Sequence, residues 1–265
     1  MAESVLIEDR GAVRIITINR PQRRNAVDRA TGDRLYEAFQ AFDQDDTVSV
    51  AILTGAEGAF CAGFDLKSLS ETGAIGRVED GGENSLGPMG PTRMVLSKPV
   101  IAAIEGHAVA GGMELALWCD LRVVALDATF GIYCRRFGVP LVDGGTFRLP
   151  RLIGHSRATD LILTGRPLEA EEAERIGLAN RLCEPGEALE TAVALADDLC
   201  RFPQICMRND RLSAIQQWGL DHDAALRNET RIGFETIGSG ETLSGAGRFS
   251  AGEGRHGRFN EDQSV

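Results

Sequence analysis

The chain has 265 residues, 43% of them hydrophobic and 25% charged, so it is long enough to bury a sizeable core and too apolar for a disordered segment. Its 28 Lys and Arg against 39 Asp and Glu leave a formal net charge of −11, which argues against a general nucleic-acid or anionic-membrane surface. A phosphate-bearing ligand would need a local basic cluster. Cys61, Cys119, Cys134, Cys183, Cys200 and Cys206 form no Cys-x-x-Cys pair, and a chain of this size needs no disulfide staples, which implies reduced thiols in a cytoplasm. The four His show no metal-ligand spacing, and the acidic start Met1-Ala2-Glu3-Ser4 resembles neither a secretory signal nor a transit peptide. No apolar run reaches the roughly 18 residues of a membrane span.

Val5-Leu6-Ile7 and Val13–Ile18 are β-rich runs around a turn containing Asp9 and Gly11, and predict a hairpin. Leu35, Ala38, Phe39 and Phe42 fall at i, i+3, i+4, i+7, the stripe of an amphipathic helix that Asp28 can cap. A strand follows at Val48–Leu53. Ser68–Pro91, rich in Gly, Ser and Glu and without periodicity, reads as a mobile loop and a candidate lid. Val100–Ile104 and Leu121–Ala125 read as buried strands separated by a helix over Gly111–Trp118, an alternation that favours parallel βαβ turns. Beyond Pro150 the pattern is mostly helical (158–164, 170–176, 188–200, 204–218 and 224–237), with one short strand near Asn180–Cys183. The Gly- and Arg-rich tail Gly245–Phe259 would order only by packing on something else.

Two glycine-bearing segments concentrate the chemistry. Ala59-Phe60-Cys61-Ala62-Gly63-Phe64-Asp65-Leu66-Lys67 and Gly106-His107-Ala108-Val109-Ala110-Gly111-Gly112-Met113-Glu114-Leu115 each follow a predicted strand, and each can aim a free backbone N–H at one point. Two such donors, from Phe64 and Gly111, form an oxyanion hole, and each is worth roughly 3–4 kcal/mol of barrier to a carbonyl that becomes enolate-like. Glu114 lies three residues beyond Gly111, near the start of the predicted helix. A carboxylate in a mainly apolar cleft there would have a raised proton affinity and serve as acid or base. The bland alternative for Glu114 is a capping or salt-bridged residue, and for the glycines simple tight turns.

These motifs resemble the crotonase (enoyl-CoA hydratase/isomerase) superfamily over nearly the whole chain. The resemblance implies an α/β fold, a crotonase-like ββα superhelix over residues 1–195 with the CoA and oxyanion site, followed by a mostly helical C-terminal trimerisation region over 196–265. It implies an acyl-CoA thioester substrate, coenzyme A being part of that substrate rather than a cofactor, and no nucleic-acid or membrane partner. Asn19-Arg20-Pro21-Gln22-Arg23-Arg24-Asn25-Ala26-Val27 resembles the CoA-contacting turn, so Arg23 and Arg24, with Lys67, would meet the nucleotide phosphates. Backbone groups at Ala62 and Asp65 would hold the adenine, and Phe64, Leu66, Met113, Tyr133 and Phe137 would line the acyl pocket. Arg248, Phe249, Arg255, Arg258 and Phe259 resemble the element that closes the site against a neighbouring subunit in a homotrimer or dimer of trimers.

One departure stands out. Family hydratases use a second glutamate after a Phe-Gly pair, and in Phe130-Gly131-Ile132-Tyr133-Cys134-Arg135-Arg136 that place falls on Cys134. The substitutes in reach are Cys134 itself, with Arg135 and Arg136 beside it, Tyr133, or Asp143 a few residues on. The reading that follows is an enoyl-CoA hydratase-like enzyme with Glu114, Phe64, Gly111 and Cys134 in its catalytic centre. An isomerase or other single-base enolate enzyme, and a non-catalytic acyl-CoA-binding protein, remain as alternatives.

Overall fold

The computed structural model describes residues 3–73 and 81–254, and the chain forms two compact units, Met1–Cys200 and Arg201–Val265. In the first, β1 (Val5–Arg10) and β2 (Val13–Ile18) form the expected hairpin, with Val5 opposite Ile18 and Arg10 opposite Val13. Next come α1 (Arg29–Gln44), β3 (Val50–Gly55), α2 (Leu66–Thr72), β4 (Val100–Ile104), β5 (His107–Val109), α3 (Gly111–Trp118), β6 (Leu121–Ala125) and β7 (Thr129–Gly131). The unit continues through α4 (Gly145–Ile153), α5 (His155–Thr164), β8 (Pro167–Glu169), α6 (Ala170–Arg175), β9 (Arg181–Cys183) and α7 (Ala188–Arg201).

The main sheet has the order β1-β2-β3-β4-β6-β9, parallel from β2 onward, and a smaller sheet has the order β5-β7-β8. Each of β4 and β6 thus runs on into a strand of the small sheet, β5 or β7, before the chain turns helical. That is the ββα turn the resemblance implies. The inner strands β2, β3 and β4 are buried on both faces because both are covered. Ile16, Ile18 and Leu53 pack with Phe39 and Phe42 of α1. Val13, Ile15, Val50, Ile52, Ile101 and Ala103 pack on the other face with Ala188, Ala192 and Ala196 of α7.

The second unit holds α8 (Gln204–Gln216), α9 (His222–Gly238) and α10 (Glu241–Ala251). Glu241 reaches the start of α8, where its carboxylate accepts the N–H groups of Ile205 and Cys206 at 3.1 and 2.9 Å, the favoured placement of a negative charge. Trp218, Phe234, Leu243 and Phe249 stand exposed. Among the described residues no helix is long and apolar enough to cross a membrane.

Three expectations are revised or filled in. Ser68–Pro91 is not one loop, because α2 runs to Thr72 and Gly87–Thr92 is buried; residues 74–80 lie outside the described residues. The start of the tail is ordered as the end of α10, up to Ala251, beside α9, while Arg255, Arg258 and Phe259 lie outside the described residues. A helix, α4, precedes and includes Pro150, where the helical half was expected to begin only after it.

Candidate active site

The segment Ala59–Lys67 is fixed from both sides. Asn25, fully buried with φ 57°, donates from Nδ2 to the carbonyls of Ala56 and Ala59 at 2.8 and 2.6 Å. The carbonyl of Arg24, the preceding left-handed residue, accepts the N–H of Ala62 at 3.0 Å. Val27 then donates to Gly63 (2.8 Å) and accepts from Asp65 (2.9 Å), so the intervening Phe64 N–H points to the opposite side of this parallel bridge. On that side Cys61 pairs with Ala108 of β5, which leads straight into α3. A Cβ on Gly112 would stand 2.1 Å from the Cys61 carbonyl oxygen, so only glycine lets α3 start this close.

The turn into α3 is strained. Ala110 adopts φ 53° and ψ −124°, a region that costs an L-residue on the order of 1–3 kcal/mol and that collects at functional sites. Its effect is to set Gly111 as the first residue of the helix, where the N–H has no intrahelical acceptor. Neither the Phe64 nor the Gly111 N–H has a protein acceptor among the described residues.

Glu114, on the first turn of α3, is 3% exposed. Its Oε1 accepts two backbone N–H groups from the chain entering α4, Asp143 at 2.9 Å and Gly145 at 2.8 Å. Oε2 has no partner among the described residues, yet it is not a sealed atom, since the one such atom there is Arg208 Nε. Oε2 therefore faces open space, and it is the oxygen that can hold or move a proton. Burial, helped by the nearby charge of Asp143, pushes the Glu114 carboxyl up to about 8, against the pull of the two N–H groups and of Arg148.

Cys134 occupies a short 3-10 turn (Tyr133–Phe137) and is buried. Burial first, and the charge of Glu114 second, raise its thiol's proton affinity, with Arg135 opposing. It stays a neutral thiol at physiological pH. Arg136 stacks over the Tyr133 ring at 4.5 Å. Met113 is buried, Leu66 and Phe64 are half-buried, and Phe137 stands exposed.

The candidate CoA residues surround the same turn. Arg24 and Lys67 are exposed and Arg23 is half-buried, close enough to lower the proton affinity of Asp65. The N–H groups of Ala62 and Asp65 are both spent within the protein, and the Asp65 carbonyl accepts the Leu69 N–H at 3.0 Å, so of these backbone groups the Ala62 carbonyl is the one left without a partner among the described residues. Sequence reasoning missed Arg20. Its guanidinium joins Asp28 and Asp65, each at 2.9 Å, and so ties together the two residues that cap α1 and α2. Burial raises Asp65, but the Ser68 N–H and Arg20 outweigh it and keep the carboxylate ionised. Also unforeseen were Thr92 and Arg148, whose roles depend on the buried turn at Gly87–Thr92. Among the described residues no group of His, Cys, Asp and Glu could hold a metal ion.

The family model described as enoyl-CoA hydratase/isomerase matches residues 8–249. Enoyl-CoA hydratase EchA19 of Mycobacterium tuberculosis is 34% identical over 92% of this chain and 92% of its own. A short-chain-enoyl-CoA hydratase of Clostridium acetobutylicum is 35% identical over 91% of this chain and 90% of its own. The crystal structure of enoyl-CoA hydratase EchA1 from Mycobacterium marinum superposes with a TM-score of 0.86 at 39% identity, covering 94% of this chain and 96% of that one. With a matching sequence model, relatives aligned nearly end to end and a shared architecture, the chain belongs to the enoyl-CoA hydratase/isomerase family.

Proposed function

We propose that this enoyl-CoA hydratase-like enzyme adds water across the double bond of a 2-enoyl-CoA thioester. The observation that carries the reading is the pair of unpartnered N–H groups, Phe64 and Gly111, held beside a glutamate with one oxygen clamped and the other open. In this reading the thioester oxygen sits between the two donors. As the oxygen of water bonds to the β-carbon, the electrons of the double bond move toward the carbonyl oxygen, where the two N–H groups and the positive end of α3 stabilise them. The enolate closes by taking a proton at the α-carbon. One proton leaves water and one reaches carbon, so the enzyme ends as it began. Glu114 Oε2 handles that proton traffic, while Arg23, Arg24 and Lys67 hold the CoA phosphates in an otherwise acidic protein.

Cys134 in place of the second glutamate favours one other reading, a double-bond isomerase that needs a single proton carrier. Incubation with crotonyl-CoA in ¹⁸O-enriched water separates the two. Label at the β-hydroxyl of the product establishes hydration, and a shifted double bond without label, from a 2- or 3-enoyl-CoA, establishes isomerisation.

The exposed Trp218, Phe234, Leu243 and Phe249 support the use of the second unit as an oligomerisation surface in a homotrimer or dimer of trimers. Light scattering tests that directly. Six unbridged cysteines are consistent with a reducing, cytoplasmic compartment.

A further inference from the structure

Glu114 and Asp143 are built alike. Glu114 Oε1 is pinned by two donors, and so is Asp143 Oδ1, which accepts from Thr92 Oγ1 at 2.5 Å and from the Met89 N–H at 3.2 Å. In both carboxyls the second oxygen has no partner among the described residues and is not sealed from accessible space. The two are joined through the backbone, because the N–H of Asp143 itself is one of the donors on Glu114.

Among the described residues no positive group forms an ion pair with either carboxyl. Arg148 spends its guanidinium on the carbonyls of Asp143 (2.9 Å) and Thr92 (2.6 Å), and Arg93 reaches the carbonyl of Val142 at 3.1 Å and Ser85 Oγ at 3.3 Å. Among the described residues Cys134, a neutral thiol, also faces Glu114. Two nearly buried carboxyls of like charge, each without a direct counter-ion, do not both ionise readily, so the first proton lost leaves the second harder to remove.

Building on the hydratase reading, we propose that Asp143 is the second carboxyl of this active site, a positioning residue whose negative charge keeps one proton on Glu114 Oε2. The pair then holds one proton and one charge between them at neutral pH. Burial raises the proton affinity of Asp143 as well, but a hydroxyl, an N–H and two arginines oppose it there, so the proton goes to Glu114. With its resting proton on Oε2, Glu114 can give that proton to the α-carbon as water adds and take water's proton back on the same oxygen, so the carboxyl returns to its starting form; the Asp143 charge sets that starting form without itself exchanging a proton with the substrate.

The test is the titration of the Glu114 carboxyl, followed by ¹³C NMR in free protein labelled at glutamate carboxyls and assigned with Glu114→Gln, beside the pH profile of kcat on crotonyl-CoA. Wild type should show one glutamate titrating well above the ordinary range. Asp143→Asn keeps the shape and removes the charge, so the titration and the matching limb of the profile should both move down by about one unit or more, with KM within about twofold. A uniform loss of kcat at every pH, with the titration unmoved, would reduce Asp143 to a structural role and overturn the proposal. Should Asp143→Asn not fold, Thr92→Val removes the hydroxyl that favours ionised Asp143, and the same downward shift at Glu114 is expected as the proton moves to Asp143; no shift there would also overturn it. Absence of turnover in wild type would sink the hydratase reading alone, since the NMR titration reads the carboxyl pair without substrate.

Discussion

A Cβ placed on Gly63 would stand 2.9 Å from the amide nitrogen of Gly111, so the turn before Phe64 and the start of α3 meet with no room for a side chain between them. Gly63 also has φ +92°, which an L-residue rarely adopts. Gly63→Ala should therefore push the Phe64 and Gly111 donors apart. Loss of one such donor costs about a hundredfold or more in kcat. Steady-state kinetics of Gly63→Ala, on protein shown to be folded, measures this; a wild-type rate would mean that the two N–H groups do not act on the substrate together.

Glu114→Gln retains an oxygen for the two N–H groups and replaces Oε2 with an amide that cannot transfer a proton. Turnover should drop by about 10²–10⁴, while calorimetric binding of a saturated acyl-CoA stays within severalfold of wild type. Equal losses in both would mean that the clamp on Glu114, not its proton, is what matters.

The same residue makes stability depend on pH. The Glu114 carboxyl rises from an ordinary 4.5 to about 8 on folding, chiefly through burial, so the folded protein binds its proton more tightly than the unfolded chain does. That contribution to stability is fully present below about pH 4.5 and is lost as pH rises through about 8. Glu114→Gln has no such loss. Its melting temperature should exceed wild type by several degrees at pH 9, an advantage that shrinks toward pH 5. A difference independent of pH would show that Glu114 is ionised in the folded state throughout.

A neutral Cys134 predicts that Cys134→Ser keeps kcat within about threefold, because no thiolate is lost. A fall of two orders of magnitude in the same assay would instead make the thiol a proton carrier.

Much of the fold around the candidate site could be read from the chain. The stripe of Leu35, Ala38, Phe39 and Phe42 and the Asp28 cap gave α1, and the span Gly111–Trp118 was recovered residue for residue, because local periodicity and capping decide such elements. The three-residue strands β5, β7 and β8 were not visible, since they are too short to show alternation and exist only by pairing with one another. Helix α4 was hidden by Pro150, a strong helix breaker that tertiary packing of Leu149 and Ile153 overrides here. Asp143 was one of three candidate substitutes with nothing to single it out, because its buried partners Met89 and Thr92 sit more than fifty positions earlier, where composition suggested only a loop.

The most direct test of the central claim is the loss of conjugated enoyl-thioester absorbance when purified protein meets crotonyl-CoA, with Glu114→Gln measured alongside. Rapid loss with wild type and almost none with the variant is the result expected of a hydratase acting through Glu114. Equal rates for the two proteins, or binding of crotonyl-CoA by wild type with no loss of absorbance, would contradict it.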